Sequence, residues 1–312
     1  MAGGSSYNQG VKAPDRLRKV RVLINPKSGL GWSSAGIQES FGRHWDVPGM
    51  DLSFQFSRSV EDGKAKARRA VQEGVDTLLV VGGDGMVNTI GSELVDTPVA
   101  FGVVPVGSGN GFARHFGIPL RPEEAIESLR GARPMVIDVG LANGRPFLVT
   151  CSLAWDAALV RSFEKFPVRG ALPYVLAAAY EFLGYVPQPF RVVLDDKEEL
   201  EWPRPMVFTA ANLTQFGVGA RIAPRARPDD GYLELVVVTQ KDVARVLAGL
   251  PRLFDGSFDG LPGVTSQRFR RMLVRRAKTA PIQVDGELMP PVADVCIEVK
   301  PKALTVLVPP AG

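Results

Sequence analysis

Histidine and cysteine are nearly missing from this chain, which has two of each among 312 residues. His44 and His115 cannot build a histidine metal cluster, and they make a Ser-His-Asp triad a poor reading. Cys151 and Cys296 stand far apart in apolar, strand-like runs and read as buried free thiols of a reducing compartment. No apolar run is long enough to span a bilayer; the longest helical candidate, residues 172–186, is short and carries Glu181. Residues 1–18 lack the apolar core of a signal peptide and are expected to form a loose tail. Neither Gly-x-x-x-x-Gly-Lys-Ser/Thr nor Gly-x-Gly-x-x-Gly occurs, so the two commonest nucleotide loops are absent. Excess charge is small as well. The formal net charge of +4 fits anionic ligands or an anionic membrane surface, and is too weak to argue for nucleic acid.

What is present is an ordinary globular composition, 45% hydrophobic and 22% charged, over a length sufficient for two cores. Strands expected at 20–24, 52–56, 78–81 and 99–104 alternate with helices at 34–43, 62–73, 87–94 and 122–129. That alternation predicts a parallel, doubly wound α/β sheet. After residue 138 the pattern becomes alternating and β-branched, at 147–153, 190–194, 206–212, 232–238, 272–276, 282–284 and 295–300. A mostly antiparallel β domain is expected there, interrupted by helices at about 171–184 and 241–254. The division is therefore a tail at 1–18, an α/β domain at 19–138 and a β domain at 139–301. A short apolar run at 304–308, within a segment 302–312, is expected to return to the first domain.

Three of the first domain's strands end in turns suited to phosphate. The most informative is Gly82-Gly-Asp-Gly85, where an apolar run stops at glycines around one carboxylate, Asp84. Open α/β sheets bind ligands at such strand ends, and an acid beside free backbone N–H groups suits a phosphate with its magnesium. Asn25-Pro-Lys-Ser-Gly29 offers Lys27 and Ser28 as phosphate partners, although a plain surface turn would look the same. Gly107-Ser-Gly-Asn110 supplies a hydroxyl and an amide, with a helix cap or hairpin as its bland alternative. Two acidic turns follow in the second domain, Asp229-Asp-Gly231 and Asp285-Gly-Glu287, either of which a β-turn could explain. With Asp84 they provide the carboxylates that metal binding and hydroxyl activation require.

These five motifs, in this order, resemble the diacylglycerol kinase/sphingosine kinase family, and the resemblance runs from about residue 19 to the end. It implies an ATP- and magnesium-dependent lipid kinase with an α/β nucleotide domain, a β-sandwich substrate domain and the reaction cleft between them. Nucleotide contacts are then expected from Asn25, Pro26, Lys27, Ser28, Gly29, Ser57, Gly82, Gly83, Asp84, Gly85, Asn88, Ser108, Gly109 and Asn110. Asp84, Asp285 and Glu287 become the catalytic acids, with the general base left open among them. Asp230, with carbonyls near Arg227 and Tyr232, resembles a structural magnesium site of soluble bacterial members. The implied partners are a lipid substrate and a transient anionic membrane surface, with no nucleic acid and a homodimer left open. A cytoplasmic protein that touches the membrane from one side is expected.

Met86 replaces a common threonine, and Gly111 follows Asn110 where many bacterial diacylglycerol kinases have aspartate. Gly-Ser-Gly-Asn and Ser152-Leu-Ala-Trp155 look closer to sphingosine and ceramide kinases, so the lipid stays open. Residues Leu172, Val175, Leu176, Ala179, Phe182 and Leu183 share a helical face that could line an acyl-chain pocket or pack on the sheet. The run Arg268, Arg270, Arg271, Arg275, Arg276 and Lys278 reads either as a solvated edge or as a headgroup-attracting patch. A NAD kinase and a catalytically silent lipid-binding protein are the rival readings.

Overall fold

A computed structural model describes residues 17–28, 32–155, 157, 184–215 and 218–310. In the first half, strands β1 (Arg18–Ile24), β2 (Met50–Phe56), β3 (Thr77–Gly82) and β4 (Ala100–Pro105) pair in parallel in the order β2-β1-β3-β4. Every residue of β3 and β4 is buried, as expected for parallel strands covered on both faces. The flanking helices are α1 (Ser34–Trp45), α2 (Val60–Gln72), α3 (Asp84–Glu93), α4 (Gly111–His115) and α5 (Pro122–Arg130). Ser33 and Ser59 cap α1 and α2 by accepting the N–H groups of Gly36 and Asp62, and Pro122 opens α5 where no N–H is needed. Phe41, Trp45, Leu79, Ile90, Phe101 and Phe112 anchor the core between helices and sheet.

The second half is built from β5 (Arg133–Ala142), β6 (Arg145–Phe147), β7 (Thr150–Ser152), β8 (Phe190–Leu194), β9 (Glu198–Trp202), β10 (Pro205–Ala211), β11 (Leu233–Thr239), β12 (Val264–Phe269), β13 (Arg271–Val284) and β14 (Glu287–Val308). Two short helices, α6 (Val243–Ala248) and α7 (Arg252–Asp255), stand where one was expected, with Gly249 and Pro251 breaking the run between them. Strand β13 changes partner along its length: residues 272–276 pair with β8 and residues 283–284 with β7. The register slips between Arg275 and Ile282, and Arg276 fills the bulge, donating to the carbonyls of Ala280, Pro281, Val292, Ala293 and Leu153. The result is a β-sandwich whose inner faces meet through Phe147, Phe190, Phe208, Leu235, Met272 and Ile297.

Strand β14 is the longest of the described elements. It pairs with β13 through its first half, runs antiparallel to β5 from Ile297 to Val308 with a register shift between Lys300 and Leu304, and meets β4 in parallel through Val306 and Phe101. Two runs that look separate in the sequence are thus one strand, kinked where Lys302 takes φ 52°. The run expected at 147–153 is split instead: the N–H groups of Leu148 and Val149 leave the ladder to bind Asp285. Helix α3 begins at Asp84, earlier than expected, because Gly83 supplies an extended N-cap. The helix expected at 171–184 lies outside the described residues.

Candidate active site

The carboxyl ends of β1, β3 and β4 are neighbours, since Ile24 pairs with Val81 and Gly82 with Pro105. Asn25 donates its N–H to Val81, accepts Ser28 N–H on its carbonyl, and accepts Lys27 N–H on its side chain at 3.0 Å. This Asx turn leaves Pro26 and Lys27 exposed. Gly29 lies outside the described residues. Ser57 follows β2 and donates its N–H to Ile24 and its hydroxyl to the Ser59 carbonyl.

The second and third turns touch backbone to backbone. A Cβ added to Gly107 would stand 2.7 Å from the Gly83 Cα, so glycine is needed for the approach. Asp84 then ties the turns together: its carboxylate accepts the N–H of Asn110 at 2.7 Å and of Gly111 at 2.8 Å. Asn110 takes a left-handed conformation, φ 52°, and closes its own loop by accepting Gly107 N–H and donating to the Gly107 carbonyl. The Gly109 carbonyl accepts Arg114 Nε and the Val218 N–H, leaving Ser108 exposed at the tip. Gly82 has no room for a side chain because Met86 folds back over it; its Sδ lies 2.7 Å from where a Cβ would be. Gly85 is exposed beside it, while Asn88 is buried and accepts the Ser92 hydroxyl.

Asp285 and Gly286 form a two-residue hairpin between β13 and β14, both with positive φ (45° and 87°). The turn is not merely a hairpin. The Asp285 carboxylate is 8% exposed and accepts three backbone N–H groups, from Leu148 (2.6 Å), Val149 (2.9 Å) and Thr150 (2.7 Å). Burial pushes this carboxyl up to about 6, against those three donors, and the Asp84 charge adds to the rise. The two acids, one from each half of the chain, are therefore within electrostatic reach. Glu287 is half-buried and held by Arg145.

The Asp229–Gly231 turn stands apart from these groups, in a cleft of about 560 Å³ that Asp138, Arg270 and Lys302 also line. Asp230 contacts Arg268 there, Tyr232 lies beneath Arg268 and Arg270, and Arg227 is exposed. Of the basic run, Arg276 is 5% exposed and spent on carbonyls, and Arg271 pairs with Asp196. Arg275 and Lys278 face solvent. Sequence reasoning passed over Arg114, Arg145, Asp138 and Asn212. The last donates to the carbonyls of Asp138 and Leu148 while 1% exposed, and a polar residue ending a buried strand was the available signal.

Residues 19–142 match the model of the diacylglycerol kinase catalytic domain, and residues 150–308 that of the YegS C-terminal NAD kinase beta sandwich-like domain. The chain is 28% identical over 303 residues to a diacylglycerol kinase of Mycobacterium tuberculosis, covering 95% of this chain and 97% of the relative. It is 31% identical over 225 residues, 70% of each chain, to a "Probable lipid kinase YegS-like" of Chromohalobacter salexigens. Its fold matches the crystal structure of a diacylglycerol kinase from Bacillus anthracis str. Sterne with TM-score 0.72 at 18% identity, over 95% of this chain and 99% of that one. Among the described residues no helix is long and apolar enough to cross a membrane. With both halves matched in order, the chain belongs to the diacylglycerol kinase/YegS family of lipid kinases.

Proposed function

We infer that this kinase transfers the γ-phosphoryl group of ATP to the hydroxyl of a membrane lipid, with diacylglycerol as the first acceptor and a sphingoid or ceramide-type lipid as the second. The observation that carries the reading is the Asp84 clamp, which joins two strand-end turns and lies within reach of the acid on the other half of the chain. Phosphoryl transfer needs positioning and charge neutralisation more than covalent chemistry, and a preformed set of turns supplies both. Lys27 and Ser108, exposed at their turns, are assigned to the phosphates, together with backbone N–H groups of 25–28 and 82–85. Residues 19–138 would carry the nucleotide, 139–301 the lipid, and 302–312 the return to the first sheet.

Asp285 is assigned to the acceptor hydroxyl. Its Oδ1 already takes two N–H groups, but Oδ2 takes one and keeps a lone pair for a further donor. A carboxyl pushed up to about 6 by burial also suits proton acceptance near neutral pH. Asp84 is assigned to positioning through its hold on Asn110 and Gly111, and the lone pair left on each of its oxygens is available to a hydroxyl or to the water of a cation. Glu287, held by Arg145, would lie at the rim.

Magnesium fits this arrangement. Asp84 lies close enough to raise the Asp285 carboxyl, and these two acids would hold the cation, which needs only one or two protein acids beside phosphate oxygens and water. When bound, it would neutralise phosphate charge during transfer.

The test is transfer of labelled γ-phosphate to a panel of diacylglycerol, monoacylglycerol, sphingosine, ceramide, phosphatidylglycerol and NAD in mixed micelles. Transfer to a lipid is expected; transfer to NAD alone, or none with both ATP and lipid bound, would replace this reading with one of its rivals. In Asp84→Asn an amide N–H must face one of two backbone N–H donors. Losing one charge-assisted hydrogen bond, about 1.5–3 kcal/mol, should lower turnover roughly ten- to a hundred-fold with the fold retained. Undiminished turnover in that variant would remove Asp84 from the site.

A further inference from the structure

We propose that the Arg268 guanidinium is the resident cation of the Asp229–Gly231 turn, so that this turn keeps its shape without a divalent ion. The magnesium site implied by family resemblance, an Asp230 carboxylate with carbonyls near Arg227 and Tyr232, does not fit the donor set found here. Both Asp230 oxygens are engaged, one by Arg268 Nη2 and the other by the Tyr232 N–H at 3.1 Å. Arg268 projects from β12 directly opposite Glu234 on β11, and its Nε lies 3.9 Å from that carboxylate. Glu234 is only 6% exposed and accepts the Ser266 hydroxyl, so its nearest cation matters. One guanidinium thus spans both acids at this turn.

The surroundings oppose a second cation at the same place. The Arg268 Cζ lies 4.3 Å from the centre of the Tyr232 ring and the Arg270 Cζ 4.6 Å from it, so two positive groups already crowd the turn. A planar guanidinium is suited to this position: it pairs with carboxylates and stacks on an aromatic face at once, whereas magnesium demands converging oxygens in octahedral geometry. Asp138 completes the turn without metal. Its carboxylate accepts the N–H of Gly231 at 2.6 Å and of Lys302 at 2.8 Å, and its own N–H donates to Pro228. The turn is thereby fastened to β5 and β14, the two strands that join the halves of the chain. Magnesium is then required with the nucleotide and not for the fold, a statement independent of which lipid is phosphorylated.

Nucleotide-free, full-length protein is the material for the test, read by metal analysis after desalting and by thermal melting in EDTA and in millimolar magnesium. The wild type should retain no stoichiometric magnesium and melt at the same temperature in both buffers. Arg268→Ala, which leaves Asp230 and Glu234 unpaired, should melt roughly 2–4 °C lower in EDTA and recover when magnesium is added. That recovery should vanish in Arg268→Ala/Asp230→Asn. One magnesium per wild-type chain with a Tm that falls in EDTA would overturn the proposal, as would an Arg268→Ala protein that melts like wild type in EDTA. If Arg268→Ala does not fold, the wild-type metal analysis still decides, and Arg268→Lys should fold with a lowered Tm in EDTA. A lowered Tm supports the proposal, and an unchanged one overturns it.

Discussion

Replacing Asp285 with asparagine separates two forces that act oppositely on one carboxyl. Burial at 8% exposure disfavours the charged form and pushes the group up to about 6, from an ordinary value of 3.8. Three backbone N–H donors at 2.6–2.9 Å favour the charged form. With burial winning, the folded chain holds more protons than the unfolded one between about pH 4 and 6. The stability contributed by this group is therefore fully present below pH 4 and lost as pH rises through 6. A shift of about two units corresponds to about 3 kcal/mol in all, of which about 1 kcal/mol falls between pH 5 and 7.

Asparagine tolerates the left-handed backbone at φ 45°, keeps one carbonyl oxygen for Val149 and Thr150, and does not titrate. The wild-type minus Asp285→Asn stability, from urea unfolding at pH 5, 6 and 7, should accordingly decline by about 1 kcal/mol over that range. A difference that stays flat or grows with pH would mean the N–H donors hold the carboxyl ionised throughout, and the reasoning from burial would fail. Turnover supplies an independent reading: if Asp285 accepts the hydroxyl proton, wild-type activity should rise through pH 6 as the group ionises.

Three further outcomes are expected. His115 is pushed down to about 4 by burial and accepts the Thr214 N–H on Nδ1, so the folded chain holds fewer protons than the unfolded one between pH 4 and 6.5. Stability should therefore fall by about 3 kcal/mol as pH drops through that window, and His115→Gln should flatten this acid limb in melts recorded against pH. Arg276→Met strips donors from several buried carbonyls at the β13 bulge and should cost about 3 kcal/mol in urea unfolding, with faster amide exchange at 276–282. Gly107→Ala places a Cβ 2.7 Å from the Gly83 backbone and should cost about 1–3 kcal/mol of stability, together with most of the kinase activity.

The parallel sheet was legible because β3 and β4 are continuous apolar runs alternating with helices, and the convergence of three turns followed from the shared direction of the strands they end. The sandwich strands were legible as segments but not as pairings. Strand β13 looked like two strands because its bulge is held by Arg276, a residue whose charge reads as solvated until its carbonyl partners are visible. Strand β14 looked like two because a bulge around Lys302 shifts its register on β5, and the pairing resumes at Leu304. For the site, Asp84 and Asp285 were identifiable from their glycine neighbours. What they bind was not, since the N–H groups they accept lie 26–27 and 135–137 residues away in the chain. Asp230 shows the same limit from the other side. Its turn has the residue types of a cation site, and the partner that decides the matter, Arg268, is set opposite by the β11–β12 pairing.

Each of the two central acids therefore has a structural duty that cannot be separated from a chemical one by turnover alone. Asp84 orders the loop that carries Ser108, and Asp285 orders the bend between β6 and β7, so removing either charge loosens backbone as well as altering the reacting groups. The two effects differ in where they appear. Loss of a clamp raises amide exchange at 107–111 or 148–150 and weakens substrate binding, because a disordered loop must be re-ordered at each encounter. Loss of a proton acceptor leaves those amides protected and lowers turnover with little change in KM. Asp84 takes one backbone N–H on each oxygen and Asp285 takes three in all, so both keep lone pairs and both are expected to combine the two patterns. Burial, which pushes the Asp285 carboxyl up to about 6, is what assigns the proton to that acid.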